Sequence, residues 1–266
     1  MKRVQWLELE DIPALPAVIR DGGTDLLDLG FATMGFYNGV VPHLAALLTE
    51  RRATDVVDLC SGAGGGTLLL REALRNAGQS PTFTFTDRFP NAAGIAKVAA
   101  LGDPKTRYLP DPVDAMDGGG DRPGVRTMSS ALHHFPPEAI AQLVGGIVAR
   151  GEPLAFFDVA GDANLRKMPA LFAPVAMIFN FSVLFLVALL TTPLVRPFRL
   201  SRLLLTYPLP LIPFLFGWDG TVSALRAYLP EDLLAIAQSV PGAETYTWSA
   251  GVAGKALYLT GVPTHR

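Results

Sequence analysis

The chain has 266 residues; half of them are hydrophobic and only 17% are charged, against roughly 25% in an average soluble protein. This length suits one large α/β domain with added elements, or two small domains. The formal net charge is −2 and no run of Lys and Arg exceeds two residues, which excludes the basic footprint expected of a nucleic-acid-binding protein. The apolar balance favours hydrophobic small molecules or lipids as partners.

The N-terminal segment, MKRVQWLELEDIPALP, carries acids and prolines where a signal peptide needs an apolar core. The single cysteine, Cys60, cannot form an internal disulfide, which fits a reducing compartment. We therefore expect a cytoplasmic protein. Residues 1–52 are predicted to form a helical arm that ends in an amphipathic helix over 41–52.

From residue 53 to 161 the chain alternates short apolar runs with helical patterns, and after 218 a helix precedes two further runs. Such alternation is typical of a doubly wound, mostly parallel sheet. The predicted strands are, in order, VVDLC, FTFTDR, TRYLP, VRTMSSAL, PLAFFDVAG, ETYTWSAG and KALYLTGVP. We expect a Rossmann-like α/β fold of about seven strands with an antiparallel closing strand, formed by 53–161 and 218–266.

Residues 162–217 interrupt this alternation with a helical, strongly apolar insertion. No charged residue occurs in the 28 positions of 168–195 or in the 16 positions of 203–218. The proline-free stretch 175–192 would span about 27 Å as a helix, close to the roughly 30 Å of a bilayer's hydrocarbon. The return segment is short and holds prolines at 208, 210 and 213, which argues against a full crossing pair.

A glycine-rich turn follows the first predicted strand, in the segment DLCSGAGGG over 58–66. A strand that ends in an acid, followed by glycines and a helix, brings backbone N–H groups close to a nucleotide-like ligand. Asp87, at the end of the second strand, is placed to accept hydrogen bonds from two ribose hydroxyls. These features fit NAD as well as S-adenosylmethionine (SAM).

The ordered motifs resemble those of class I SAM-dependent methyltransferases. DLCSGAGGG resembles the first motif of that family, with Cys60 in place of its usual first glycine, and MSSALHHFPP resembles the segment after the fourth strand in small-molecule methyltransferases. The resemblance implies SAM as the cofactor and no nucleic-acid substrate. The cofactor-contacting positions that it implies are Tyr37, Asp58, Cys60, Ser61, Gly62, Gly64, Asp87, Arg88, Asp114, Ala115 and Ser130.

Within this scheme Asp58 and Gly62 are expected to face the methionine portion, Asp87 the ribose, and Asp114 with Ala115 the adenine. Ser130 is expected on the sulfonium side, and Tyr37 is expected either to close over the cofactor or to pack the arm.

His133 and His134 follow the fourth predicted strand and are the candidate catalytic residues. Methyl transfer needs a general base only when the nucleophile is a weakly acidic O–H or a protonated amine; the alternative role for either histidine is to pack against or cap the next helix. Asp219 and Arg226 either orient a polar head group or pin a helix. No cluster with metal-ligand spacing is found, and no metal is predicted.

The expected function is SAM-dependent methyl transfer to a hydrophobic small molecule or a lipid-like acceptor, at O, N or C. The insertion is expected to lie at the inner face of the membrane with Arg196, Arg199 and Arg202 on lipid phosphates; a lid or a homo-oligomer interface is the alternative. The rival functions are a non-catalytic, membrane-associated SAM-binding protein and an NAD-dependent reductase.

Overall fold

The computed structural model describes residues 3–159, 165 and 168–264. The chain divides into two compact units. The sheet unit comprises Gly35–Val159 and Tyr228–Arg266, and the helical unit comprises Met1–Met34 and Ala160–Ala227. Each unit is therefore built from two stretches of chain that are distant in sequence.

Seven strands form one sheet in the order β3-β2-β1-β4-β5-β7-β6. Strands β1 to β5 pair in parallel, whereas β7 pairs antiparallel with both β5 and β6. This arrangement confirms the predicted Rossmann-like fold with an antiparallel closing strand, which is β7. The strands are β1 (Asp55–Leu59), β2 (Thr82–Phe85), β3 (Thr106–Tyr108), β4 (Val125–Ser129), β5 (Leu154–Asp158), β6 (Tyr246–Ala253) and β7 (Ala256–Pro263).

In the sheet unit, helices alternate with strands along the chain, as the sequence predicted. Those described in the whole chain are α1 (Ala17–Met34), α2 (Val41–Arg51), α3 (Gly65–Asn76), α4 (Ala92–Ala99), α5 (Pro137–Ala149), α6 (Ala173–Thr191), α7 (Leu200–Leu204), α8 (Leu211–Arg226) and α9 (Pro230–Gln238).

The main core of the sheet unit lies between β4, β5, α5 and α9. Ile140, Leu143, Val144 and Ile147 lie on one face of α5 at the i, i+3, i+4, i+7 spacing, and all four are fully buried. They pack with Phe156 at the centre of the sheet. Each such side chain contributes roughly 1.5–3 kcal/mol by leaving water, so this face holds α5 firmly beside the chain that follows β4.

The strand order reverses at β1, which lies between β2 and β4. The chain leaves β1 towards β2 and β3 and then returns to build β4 and β5 on the other side. In open α/β sheets this switch point leaves a crevice beyond the carboxyl ends of the two strands, and ligands bind there. The turn at 60–64 and the segment at 130–134 both start at this crevice.

The helical unit is an assembly of α1, α6, α7 and α8. Helices α6 and α8 form an antiparallel hairpin, because Asn180 Nδ2 donates to Thr221 Oγ1 at 3.1 Å near one end while Ala188 packs with Ile212 near the other. Gly22 of α1 permits close packing on α8, since a Cβ there would lie 2.4 Å from Ile212 Cδ1. The insertion is thus helical, as predicted.

The compact units divide at 34/35 and 227/228 rather than at the predicted 52 and 217. Helix α2 belongs with the sheet, since Gln79 beyond α3 donates to Thr49 and Ala45 of α2. The predicted arm is therefore split between the units. The last two residues of the predicted fifth strand, 160 and 161, lie outside the described residues, as do 162–164 and 166–167.

Candidate cofactor and active site

The turn after β1 brings backbone amides to the switch point. Cys60, Gly62 and Gly64 all have positive φ, of 55°, 50° and 77°, and Gly64 caps the start of α3. Two of these positions are glycines because side chains disfavour the left-handed region. A Cβ at Gly62 would meet no atom within 4 Å, so open space lies in front of the turn.

Asp58 is the internal support of this turn. Its carboxylate is fully buried and accepts hydrogen bonds from Ser61 Oγ at 2.7 Å, Thr67 Oγ1 at 2.8 Å and Thr127 Oγ1 at 2.7 Å. Burial raises the pKa of Asp58 to about 6, against the lowering effect of these hydroxyls. These hydrogen bonds hold β1, α3 and β4 together, and the expectation that Asp58 faces the methionine portion stays a prediction.

Ser61 and Cys60 also point inward. The Ser61 hydroxyl donates to Asp58 and accepts from the backbone N–H of Thr86 at 3.1 Å. Burial, reinforced by the charge of Asp87, raises the pKa of the Cys60 thiol. A thiol with a raised pKa is a poor nucleophile at neutral pH. The backbone of these residues therefore lines the turn, while their side chains support it.

Asp87 lies at the rim of the turn, just beyond β2. Its Oδ2 accepts the N–H of Gly62 at 2.8 Å and its Oδ1 accepts the N–H of Phe89 at 2.8 Å. Each carboxylate oxygen has further acceptor capacity beyond one hydrogen bond, and the residue is only half-buried. The structure therefore fixes this carboxylate beside the open space at Gly62.

Asp114, Ala115 and Arg88 extend the site along the same edge. The N–H of Val113 donates to the carbonyl of Asp87 at 2.8 Å, which ties the two segments together. Arg88 is exposed, and its Nη1 lies 3.7 Å from Asp114 Oδ2. The Ala115 side chain is buried in the main core, so only its backbone can reach a ligand.

Tyr37 and Ser130 close the opposite side of the turn. Their hydroxyl oxygens are 2.6 Å apart, and a Cβ on Gly66 would lie 2.6 Å from Tyr37 Oη. Ser130 has a φ of 56° directly after β4, an uncommon conformation for a residue other than glycine. The structure thus brings the two residues together beside the start of α3, with the Tyr37 ring buried.

His133 is held by an acid that the sequence analysis did not single out. Its Nδ1 lies 3.0 Å from Asp158 Oδ2, and its backbone N–H donates to the same oxygen at 2.9 Å. Both side chains are buried, and the His134 ring lies 4.2 Å from the His133 ring. The available signal for Asp158 was an acid at the end of the apolar run AFF in the fifth strand.

Asp219 and Arg226 serve the helical unit. Asp219 accepts the backbone N–H groups of Leu9 at 2.6 Å and Glu10 at 3.0 Å, and burial raises its pKa to about 6. Arg226 Nη1 lies 3.1 Å from Glu8 Oε1 and 3.0 Å from Asp11 Oδ2. Of the two roles considered, these contacts fit pinning: they hold residues 8–11 on α8.

No family model and no curated protein matches the chain. Similar solved structures include an O-methyltransferase family protein from Burkholderia thailandensis, with 15% identity, a TM-score of 0.51, and coverage of 89% of this chain and 58% of that one. Another is human N-acetylserotonin methyltransferase in complex with SAM, with 13% identity, a TM-score of 0.51, and coverage of 98% and 63%.

The chain spans about three fifths of the length of each of these two proteins. At such identities the likeness concerns the fold. The seven-stranded sheet with its antiparallel end and the turn after β1 agree with it. The chain therefore has the fold of the class I SAM-dependent methyltransferases.

Proposed function

We propose that the chain is a SAM-dependent methyltransferase that methylates an oxygen of a hydrophobic acceptor. The observation that carries the proposal is the site at the switch point, where the Asp87 carboxylate is fixed on the Gly62 N–H beside open space. The same end of the sheet carries a buried histidine paired with a carboxylate. One feature suits a nucleoside ligand and the other suits proton transfer.

The residues present fit SAM. The backbone of Cys60 and Gly62 would face the amino-acid end, Asp87 would accept the ribose hydroxyls, and Asp114 with the Ala115 backbone would border the adenine. Tyr37 and Ser130 would border the sulfonium side. When bound, SAM supplies a methyl group made electrophilic by the sulfonium, so the protein's contribution is largely proximity and orientation, worth roughly 7–11 kcal/mol.

The His133–Asp158 pair favours an enzyme over a binding module that has lost chemistry. An imidazole whose Nδ1 faces a carboxylate keeps its proton there, which leaves Nε2 as the nitrogen that accepts a proton. A hydroxyl acceptor would pass its proton to His133 Nε2 as its oxygen gains the methyl group. Such a base is needed for a weakly acidic O–H, and this need is the reason for choosing oxygen over carbon as the acceptor atom.

A hydrophobic acceptor and a location at the inner face of the membrane are supported by the composition and by the helical unit. Half of the chain is hydrophobic, and the helical unit exposes many large apolar side chains. We place the protein on the cytoplasmic side, as a peripheral or monotopic protein. An acceptor that partitions into lipid would be concentrated at the same surface.

Titration calorimetry of the full chain with SAM, S-adenosylhomocysteine and NAD tests the cofactor. Binding of the first two with no heat from NAD is expected, whereas binding of NAD alone would favour the reductase and overturn the proposal. Transfer of labelled methyl from SAM to a lipophilic extract, followed by base hydrolysis of esters and cleavage of ethers, tests the acceptor atom. Label that resists both treatments would exclude the oxygen acceptor.

A further inference from the structure

Helix α6 presents apolar side chains to the outside along its whole length. Val175, Ile178, Phe179, Leu186, Leu190 and Leu194 are each more than half exposed, and they follow one side of the helix and its end. We call this surface the α6 face. The most apolar 18 residues within Ala170–Leu194 have a mean hydropathy of 2.3, and only 11% of them are buried.

A helix that is hydrophobic on all sides belongs in a core or in lipid. The inner side of α6 packs on α8 through Phe181 and Asn180. The α6 face is equally apolar, but its side chains are exposed. Contiguous apolar patches of this kind on soluble proteins mark interaction surfaces.

Charge points to an anionic lipid surface. Residues 168–218 contain no Asp or Glu and three arginines. Arg202 is buried and forms an ion pair with Asp25 of α1. This contact corrects the expectation that all three arginines meet lipid phosphates. Arg196 and Arg199 are exposed and lie in the connection between α6 and α8. Arg199 Nη1 lies 3.5 Å from Asp25 Oδ2, so this one carboxylate is shared by Arg199 and Arg202 and leaves an excess of positive charge in the connection. Lipid phosphates complement the exposed cations Arg196 and Arg199.

The apolar part of α8 is too short for both helices of the α6–α8 hairpin to cross a bilayer. Helix α8 is apolar only from Leu211 to Trp218, about 12 Å at 1.5 Å per residue, against roughly 30 Å of hydrocarbon. Beyond that point Asp219 is buried on the backbone of Leu9 and Glu10. These polar groups belong outside the hydrocarbon, so the apolar part of the hairpin suits one leaflet.

We propose that the helical unit docks on an anionic membrane by burying the α6 face and the 192–210 connection in the near leaflet, with Arg196 and Arg199 on lipid phosphates. This deepens the membrane-side location proposed above and rests on it, but it does not depend on the cofactor. A hydrophobic acceptor dissolved in the lipid would then reach the protein from the same leaflet.

Vesicle flotation of the full chain tests the proposal. Vesicles of phosphatidylcholine mixed with phosphatidylglycerol should bind the chain at least tenfold more tightly than vesicles of phosphatidylcholine alone. Replacing both exposed cations, Arg196→Gln with Arg199→Gln, should weaken binding to the anionic vesicles about 25-fold, or about fivefold per arginine. Phe179→Asn with Leu190→Asn should weaken binding to both kinds of vesicle by at least tenfold.

Val252→Asn is the matched control, because Val252 is an exposed apolar residue of the edge strand β6; its flotation should match that of the unaltered chain. SAM binding measured on each variant should stay unchanged, so failure of docking and failure of the cofactor assignment are separable.

Three outcomes would overturn the proposal. One is vesicle binding that neither double variant weakens. Another is a stable dimer in sedimentation that Phe179→Asn with Leu190→Asn dissociates while the chain does not float, which would make a second copy the occupant. The third is quenching of a fluorophore at Leu204→Cys, in a Cys60→Ala background, by iodide trapped inside the vesicles, which would mean that the hairpin crosses.

Discussion

Cys60 takes a left-handed backbone conformation where glycine would be the natural choice. Its φ of 55° carries a cost of about 1–2 kcal/mol for a residue with a side chain, partly offset by the smaller entropy that a cysteine loses on folding. We expect Cys60→Gly to change the free energy of unfolding by less than about 1 kcal/mol.

Cys60→Val should instead lower that free energy by roughly 2 kcal/mol or more, because a β-branched residue is a genuine outlier at positive φ. Denaturant unfolding of both variants provides the measurement. Equal stabilities of the two variants would mean that the turn does not impose this conformation.

The His133–Asp158 pair predicts a loss of rate without a loss of cofactor affinity. Asp158→Asn removes the acceptor that holds the Nδ1 proton, so His133 loses the tautomer needed to accept a proton at Nε2. Methyl transfer should fall 10²- to 10⁴-fold, the range of general-base contributions, while SAM affinity stays within threefold. His134→Gln is the comparison variant and should retain at least a tenth of the activity.

A double variant separates this role from a merely structural one. His133→Gln should lose as much rate as Asp158→Asn, and the variant with both changes should lose no more than either alone, because each change removes the same base. Losses that add up in the double variant, or a matching fall in the free energy of unfolding, would indicate that the pair only supports the fold.

Roles at residue scale could be predicted only in part from the sequence. Asp87 is predicted as a cofactor residue from its position just beyond the second strand and Asp114 from the family resemblance, and the fold ties the two segments together through the hydrogen bond from the Val113 N–H to the Asp87 carbonyl. The partners that enclose the Asp58 carboxylate and the Arg202 guanidinium, namely hydroxyl groups and Asp25, could not be predicted. The partners of a buried polar group come from distant segments, and no local pattern records them.

At the scale of elements, residues 3–11 are fastened to α8 by buried charge. Glu8 is fully buried beside Arg226, which also donates to the carbonyl of Trp6 at 2.6 Å. Removing one partner of a buried ion pair costs about 3–5 kcal/mol, because the other charge is left uncompensated. Arg226→Met should therefore release this segment locally.

Amide hydrogen exchange measures the release. The N–H groups of Leu9 and Glu10, bonded to Asp219, should exchange at least tenfold faster in Arg226→Met, while those of β1 keep their protection. Arg196→Met, at an exposed arginine, is the control. Unchanged exchange at Leu9 and Glu10 would mean that Asp219 alone fastens the segment.

Strands and helices were easier to predict than contacts between distant segments, because each follows a periodic pattern of apolar residues within one short stretch of chain. The apolar runs that predicted seven strands end within a few residues of those observed, and the glycine turn lies where it was expected. The assignment of α1 to the helical unit was not predictable in this way. It depends on small residues, Gly22 and Gly23, that admit Ile212 and Leu215 of α8 from almost two hundred positions away.

For the molecule as a whole, two buried acids set the sign of the pH dependence of stability. Burial raises the pKa of Asp58 and that of Asp219 from 3.8 to about 6, so the folded chain binds these protons more tightly than the unfolded chain. Their stabilising effect is complete below about pH 4 and is lost as the pH rises through about 6. For the fully buried Asp58 the difference is of the order of 3 kcal/mol.

Chemical denaturation at pH 5 and pH 7.5 checks this dependence. The unaltered chain should be more stable at pH 5, and Asp58→Asn with Asp219→Asn should remove most of the difference. Asp103, whose pKa the Arg71 guanidinium lowers, acts in the opposite sense but only below about pH 4. A stability that rises from pH 5 to 7.5 would contradict the account.

The most direct test of the proposed cofactor site compares the SAM affinity of the unaltered chain with that of Asp87→Ala. Two hydrogen bonds from ribose hydroxyls to a carboxylate are worth about 1.5–3 kcal/mol each, so calorimetry should find SAM binding weakened by more than tenfold in Asp87→Ala. Asp111→Ala, at an exposed acid near the same edge, should bind SAM as the unaltered chain does. Unchanged affinity in Asp87→Ala, or SAM binding absent from the unaltered chain, would contradict the assignment of this site.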